Sequence, residues 1–209
     1  MIALVDYGMG NIRSVRNALV AAGAEVLVTS DPRDLKDAGG IIVPGVGAFS
    51  DGIANLHRSG LTEALTEQVL GASKPYLGIC LGMQFLAETS FEGGTWKGLG
   101  FLNGTVQRLA PGDKEKFKIP HMGWNDVELT KPCPLFAGVE ENPVFYFVHS
   151  YHFAAHRQQI TGVCHHGQEV VAAVWRENVF GVQFHPEKSQ GMGLKVLENF
   201  CRLADRGNA

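Results

Sequence analysis

The residues of this chain best suited to chemistry are one cysteine and one histidine–glutamate pair. Cys80 stands in the run Gly78–Gly82 (G-I-C-L-G), a cysteine form of the G-x-S-x-G turn that joins a strand to a helix and exposes a nucleophile. Much later in the chain, His185 and Glu187 flank Pro186. A thiol nucleophile needs a base to take its proton and an acid to orient that base. These residues therefore predict a Cys-His-Glu site for acyl transfer.

Cys80 has the flanking sequence that such a turn needs. Lys74–Ile79 is typical of a short apolar strand, and Leu81–Glu88 is typical of the helix that follows. A thiol at a helix N-terminus faces unpaired N–H groups and the positive end of the helix dipole, which favour the thiolate. Gln84 lies four residues on and shares a helix face with Cys80. A lone cysteine is more often a small buried hydrophobe, but the paired glycines and the distal His185 favour catalysis.

His185 and Glu187 have the spacing to serve one pocket. In an extended segment, residues two apart point to the same side, and Pro186 keeps the histidine out of the helical region. A surface turn is one alternative, and a metal site is another because the chain has eight histidines. No H-E-x-x-H or C-x-x-C spacing occurs, which disfavours the metal site. We expect neither a metal nor a cofactor.

A glycine-rich loop supplies the remaining chemistry. Pro44–Phe49 (P-G-V-G-A-F) directly follows the apolar segment Gly40–Val43. Exposed backbone N–H groups in such a turn stabilise the oxyanion of a tetrahedral intermediate. The amides of Val46 and Gly47, with that of Leu81, would give donors from two loops. A phosphate-binding loop is the alternative, and it is disfavoured because the P-loop lysine and the G-x-G-x-x-G pattern are absent.

Length, charge and cysteine use limit the class of protein. A chain of 209 residues can bury a large core as one domain, so we expect residues 1–209 to form a single domain. The net charge is −3, and the chain has no long run of charged residues of either sign. We therefore expect no nucleic-acid or membrane binding. No charged leader precedes the first strand, and the cysteines are scattered. We therefore expect a cytoplasmic protein with free thiols at Cys80, Cys133, Cys164 and Cys201.

The elements that would position these residues alternate in the first half of the chain and become strand-rich in the second. Asn11 suits the N-cap of a helix that ends at Gly23. The alternation of strands and helices predicts an α/β fold: a central, mostly parallel sheet flanked by helices, with an additional strand-rich section in the second half. Further strands are predicted at Ile2–Asp6, Glu25–Thr29, Gly40–Val43, Thr105–Leu109, Trp124–Thr130, Val144–His149, Ile160–Cys164, Glu169–Trp175 and Val179–Phe184, and helices at Gly52–Arg58, Leu61–Leu70 and Leu194–Leu203.

Together these motifs resemble the class I, triad-type glutamine amidotransferases. Within that family the resemblance is strongest to the glutaminases of histidine biosynthesis, which are subunits of imidazole glycerol phosphate synthase. The Pro-Gly-Val-Gly loop supports the finer match, because the branches for anthranilate, GMP and carbamoyl phosphate synthesis usually have another loop. The matching segments span nearly the whole chain: Asp6–Asn11, Pro44–Phe49, Gly78–Gly82, Lys118–Asn125, Tyr146–Tyr151 and His185–Ser189.

The resemblance implies hydrolysis of glutamine. Cys80 attacks the side-chain amide, ammonia leaves, and water hydrolyses the γ-glutamyl thioester, while His185 transfers protons and Glu187 orients it. For Ser150 and Tyr151, ordinary packing at a strand end is a serious alternative to substrate binding. The positions implied to hold glutamine are Gly45, Gln84, Ser150 and Tyr151.

The resemblance also implies a partner, because a glutaminase that fills the whole chain leaves no room for a domain that uses the ammonia. That partner is a cyclase with a (β/α)8 barrel, bound as a heterodimer, which forms imidazole glycerol phosphate and aminoimidazole carboxamide ribonucleotide. Trp124 is the preferred anchor, although a partly buried core position suits it equally, and a solvated side chain is the alternative for Lys188. The expected interface residues are Met9, Asn11, Trp124, Asn125, Tyr146 and Lys188.

Two other functions remain open at this point. One is a stand-alone cysteine hydrolase of similar fold that cleaves γ-glutamyl compounds without a partner. The other is a non-catalytic interaction subunit, which the presence of Cys80, His185 and Glu187 together disfavours. A high rate of turnover without a partner would favour the first.

Overall fold

A computed structural model describes residues 1–206, and an eight-stranded sheet forms its centre. The strands of the chain are β1 (Ile2–Val5), β2 (Val26–Thr29), β3 (Gly40–Gly45), β4 (Tyr76–Cys80), β5 (Thr89–Ser90), β6 (Trp96–Lys97), β7 (Gly104–Arg108), β8 (His121–Asp126), β9 (Glu128–Leu129), β10 (Val144–His149), β11 (Tyr151–Ala155), β12 (Ile160–His165), β13 (Glu169–Arg176) and β14 (Val179–Val182). The central order is β2-β1-β3-β4-β14-β13-β12-β9. The first five of these strands are parallel and the last three join antiparallel.

Helices cover both faces of this sheet because alternate strand residues face opposite sides. The helices are α1 (Ile12–Ala21), α2 (Phe49–Arg58), α3 (Leu61–Thr66), α4 (Leu81–Gln84) and α5 (Gln190–Arg206). Ile2 and Leu4 belong to the core formed with α1 and α5, whereas Ala3 and Val5 belong to the core formed with α2 and α3. Two cores therefore cover the two faces of the parallel strands, and the carboxyl ends of β3 and β4 reach the same edge of the sheet.

Two smaller sheets lie beside the central one. Strands β8 and β10 form an antiparallel two-stranded ribbon, called the β8–β10 ribbon below, with Tyr146 opposite Trp124 and His149 opposite His121. The second small sheet has the order β11-β7-β5-β6. The residues of the ribbon alternate between a buried inner face and an exposed outer face.

The predicted fold class is confirmed, and several element boundaries differ from the predicted ones. The helix after Cys80 ends at Gln84 rather than at Glu88, because backbone carbonyls of the next turn accept from a later loop; Leu99 N, for example, donates to Phe85 O at 2.7 Å. The strand predicted at Trp124–Thr130 is two strands in different sheets, β8 and β9, separated at the buried Val127. The hairpin of β5 with β6 and strand β11 were not predicted.

The last helix begins at Gln190, four residues before the predicted start at Leu194. Gly193 lies in its first turn, where a Cβ would collide with the carbonyl of Pro186. The close approach therefore packs the start of α5 onto the segment that follows His185. Within residues 1–206, no helix is both long enough and apolar enough to cross a lipid bilayer.

Candidate active site

Cys80 occupies a strained turn between β4 and α4. Its backbone has φ 53° and ψ −107°, a conformation that costs energy for a residue with a side chain. A Cβ on Gly78 would strike the backbone of Gly82, and a Cβ on Gly82 would strike the carbonyl of Val43. Both neighbours must therefore be glycine for the turn to form, which explains the G-x-C-x-G spacing.

His185 and Glu187 form a buried pair. His185 Nδ1 lies 2.8 Å from Glu187 Oε1, and the two side chains are 2% and 1% exposed. Because a carboxylate accepts, Nδ1 carries the hydrogen and Nε2 is left for proton transfer. Nε2 is buried and has no hydrogen-bond partner within residues 1–206. The geometry matches the orienting role of the acid in a triad.

The charges around His185 favour its protonated form. Burial opposes the imidazolium, but the neighbouring Cys80 and the bond to Glu187 outweigh it and raise the pKa of His185 to about 10. A protonated imidazole beside a cysteine can give its proton to a leaving group during acyl transfer. His185 can therefore serve as the proton carrier of the site.

Strand β10 holds the His185 segment in place. His185 N donates to Tyr146 O at 2.9 Å, and Ser189 Oγ donates to His185 O at 2.6 Å while accepting from Tyr146 N at 3.0 Å. Ser189 is buried and was not predicted to have a role. The ribbon and the histidine are thus one hydrogen-bonded unit.

A cleft of about 310 Å³ opens beside the cysteine. This volume suits a small ligand such as a free amino acid. Six of the predicted site residues line it together with Cys80, whereas Gly45, His185 and Glu187 are not among its lining residues. The lining residues are Val46, Gly47, Cys80, Leu81, Gln84, Glu92, Pro120, Val148, His149, Ser150 and Tyr151.

The loop predicted to hold an oxyanion forms one wall of this cleft. Gly47 has φ 96°, and a Cβ there would lie 2.8 Å from Met9 Cε. A Cβ on Gly45 would lie 2.8 Å from Leu81 Cβ, so this glycine permits the close approach of β3 to the turn. Within residues 1–206, the amides of Val46 and Gly47 donate to no other group.

Glu92 is a cleft residue that the sequence patterns did not single out. Its Oε2 accepts a hydrogen bond from Phe49 N at 2.9 Å, so the first turn of α2 fixes its position. Glu92 is the single acidic side chain among the cleft-lining residues of the described chain. It lies in an irregular loop, and no local motif marked it.

The residues predicted to meet a partner fall into two groups. Trp124 and Tyr146 lie on the outer face of the ribbon with their ring centroids 5.9 Å apart, and Lys188 Nζ lies 5.7 Å from the Tyr146 ring centroid. Asn125 instead points to the inner face, where Nδ2 donates to His165 O at 3.0 Å. Asn11 caps α1 by accepting from Ser14 N, and Met9 packs on the oxyanion loop.

Comparison with known proteins places this site in a family context. The family model for glutamine amidotransferase class-I matches residues 3–204. The chain is 49% identical over 210 residues to the imidazole glycerol phosphate synthase subunit HisH of Moorella thermoacetica, covering 100% of this chain and 98% of that protein. It is 45% identical over 203 residues to the subunit HisH 1 of Campylobacter jejuni strain RM1221, covering 97% and 100%.

A solved structure shares the fold at low sequence identity. The structure of PurLQS from Thermotoga maritima superposes with a TM-score of 0.74 at 20% identity, covering 100% of this chain and 98% of that one. The likeness extends over the whole central sheet and its helices.

Proposed function

This chain belongs to the class-I glutamine amidotransferase family, and from its site we propose that it is the glutaminase subunit of an imidazole glycerol phosphate synthase. It hydrolyses glutamine to glutamate and ammonia and delivers the ammonia to a separate cyclase in histidine biosynthesis. The observation that carries the proposal is the buried His185–Glu187 pair beside a cysteine in a strained turn at a small cleft. We take residues 1–209 as one domain that acts in the cytoplasm.

The triad performs the hydrolysis in two steps. Cys80 Sγ, with its proton on His185 Nε2, attacks the side-chain carbonyl carbon of glutamine. The oxyanion binds the amides of Val46, Gly47 and Leu81, and loss of one such donor typically costs about 10²–10³ in rate. His185 gives its proton to the departing nitrogen, and ammonia leaves a γ-glutamyl thioester. His185 then takes a proton from water, whose oxygen attacks the thioester and releases glutamate.

The cleft residues suit the polar end of an amino acid. The Glu92 carboxylate is held by Phe49 N and faces the same cleft as Ser150 and Tyr151. An α-ammonium group pairs with such a carboxylate. The amide nitrogen of Gln84 already donates twice, to Tyr151 O at 2.9 Å and to Gln183 Oε1 at 3.1 Å, so its oxygen is the atom left for substrate.

The cyclase binds the outer face of the β8–β10 ribbon and the adjoining mouth of the cleft. Met122 and Trp124 are 63% and 50% exposed there, and aromatic residues are enriched among the anchors of protein interfaces. Ammonia released into water at neutral pH becomes ammonium, which is not nucleophilic, so the product must pass directly to the partner. The barrel of the cyclase and the interface roles of Met9, Asn11, Asn125 and Lys188 belong to this proposal.

The test is glutamine hydrolysis by the purified chain, alone and then with a cyclase partner and its nucleotide substrate. We expect a weak basal rate that rises strongly in the complex and disappears in Cys80→Ala. A high rate without the partner that does not change in its presence would instead identify a stand-alone hydrolase.

In the same assay, Glu92→Gln tests the contact between Glu92 and the α-ammonium group of glutamine. Loss of that contact should raise KM for glutamine and leave kcat largely unchanged.

The Trp124→Ala variant separates the interface from the chemistry. Because Trp124 lies on the outer face of the ribbon, the variant should need more cyclase to reach the full complex rate while its basal rate stays unchanged. Equal affinity for the cyclase would remove Trp124 from the interface.

A further inference from the structure

A continuous chain of polar groups runs from the β8–β10 ribbon to the nucleophile. We propose that Gln183 is a positioning residue that holds the Cys80 thiol, and that a hydrogen-bonded relay from the ribbon holds Gln183. The relay consists, in order, of Asn125, His121, His149, the Tyr151 carbonyl, Gln84 and Gln183. The inference rests on the proposed function, since it concerns the same cysteine.

Gln183 has both ends of its amide engaged and is fully buried. Its Nε2 donates to Cys80 Sγ at 3.5 Å, and its Oε1 accepts from Gln84 Nε2 at 3.1 Å. If the Gln183 amide were turned by 180°, its NH2 group would face the NH2 group of Gln84, and its oxygen would face Cys80 Sγ. The orientation with N–H on sulfur is therefore the only one in which every contact is favourable, and it favours the thiolate.

The Tyr151 carbonyl joins the two halves of the relay. It accepts from Gln84 Nε2 and from His149 Nδ1, each at 2.9 Å. A carbonyl oxygen has two lone pairs and can hold both donors. The position of Gln84, and through it that of Gln183, thus depends on the backbone where β10 passes into β11.

The β8–β10 ribbon supplies the outer half of the relay and sets the direction of its hydrogen bonds. His149 Nδ1 bears a hydrogen, so Nε2 accepts, and His121 Nδ1 donates to it at 3.0 Å. His121 Nε2 is then an acceptor, and Asn125 Nδ2 lies 3.2 Å away. This direction requires both rings to be neutral. Burial and the neighbouring His166 lower the pKa of His121 to about 4, and burial outweighs the bond to Tyr151 O in lowering that of His149 to about 3.

The outer end of the relay lies next to the surface on which we propose that the cyclase docks. Asn125 is adjacent to Trp124, whose ring is on the outer face of the same strand. The ribbon therefore has one face exposed for docking and the other face connected to Cys80 through the relay.

The experiment measures alkylation of Cys80 by iodoacetamide as a function of pH, with the Cys80 peptide quantified by mass spectrometry. We expect Gln183→Leu and the near-isosteric Gln183→Met to react about 10- to 100-fold more slowly at pH 7, the factor for a lost hydrogen bond to a charged group. Both should approach the unmodified chain at high pH. Gln159→Leu is the matched control, because Gln159 is also buried and bonds to Asn103 outside the relay.

Alkylation needs no glutamine, so this result stands apart from the test of the proposed function. Equal rates in a folded Gln183 variant and the unmodified chain would overturn the proposal. His149→Phe and His121→Phe test the outer part, and we expect each to slow alkylation about three- to tenfold, the factor for one neutral hydrogen bond. Slow Gln183 variants with unchanged histidine variants would overturn the relay beyond Gln84.

Discussion

His185 of the proposed triad and the ribbon pair of His121 and His149 are all buried, yet their environments favour different protonation states. Burial acts against the charged form in each case, but Cys80 and Glu187 raise the pKa of His185 to about 10. His149, whose partners are a carbonyl and another imidazole, has a pKa lowered to about 3. The difference shows that neighbouring charges and hydrogen-bond partners, rather than burial alone, decide whether the protonated or the neutral form of an interior histidine is favoured.

Removing the acid from the catalytic side should have the largest effect. Glu187→Gln deprives His185 of the carboxylate that orients it and stabilises its charge, so kcat for glutamine should fall by about 10²–10⁴-fold. The measurement is steady-state hydrolysis in the presence of the partner, with Glu198→Gln on α5 as the control. A kcat within threefold of the unmodified value would show that Glu187 does not act on the histidine.

An acid added beside the neutral histidines should raise the pKa of one of them. Asn125→Asp places a carboxylate near His121 Nε2, now 3.2 Å from the amide nitrogen, and should raise the pKa of His121 from about 4 by about 1–3 units. Titration of the ring protons by NMR measures the change, and Asn125→Leu is the control that adds no charge. An unshifted His121 in Asn125→Asp would mean that the carboxylate does not reach the ring.

His185 and the ribbon histidines should also affect the pH dependence of the free energy of unfolding in opposite directions. The lowered pKa values of His121 and His149 mean that the unfolded chain binds more protons between about pH 4 and pH 6.5, so the free energy of unfolding falls as the pH falls through that window. The raised pKa of His185 means that the folded chain binds more protons between pH 6.5 and about pH 10, so stability falls as the pH rises there. Each group contributes at most about 1.4 kcal/mol per pH unit.

Urea denaturation at pH 5, 7 and 9 measures this smallest effect. We expect the greatest stability near pH 7, with the alkaline loss reduced in His185→Asn and the acid loss reduced in His149→Phe. A stability that rises steadily from pH 7 to pH 9 in the unmodified chain would contradict the charge assigned to His185.

A region of this protein could be predicted from the sequence when its interactions join residues that are close together in the chain. The turn at Cys80 depends partly on contacts within a few residues, because a Cβ on Gly78 would strike the backbone of Gly82, and partly on the adjacent strand β3. The spacing of His185 and Glu187 likewise places two side chains of one short segment within 2.8 Å. Residue types and local spacing are sufficient to identify such candidates.

The relay could not be predicted in this way. His121 and His149 meet because the register of β8 with β10 sets them opposite each other, and Gln183 meets Gln84 because β14 lies beside β4. Glu92 reaches the cleft from an irregular loop through a bond to Phe49 N. None of these pairs has a distinctive spacing in the chain.

Residue types and their local order are sufficient for the α/β class, the strained turn and the identity of the candidate triad, because periodicity, glycine sterics and side-chain chemistry act over short distances. Contacts between distant segments set where α4 ends, which strands pair in the second half, which face Asn125 presents, and whether the pKa of a buried histidine is raised or lowered. These features depend on strand register and on partners distant in the chain, and the free energy of a buried polar group is set by the partner it meets.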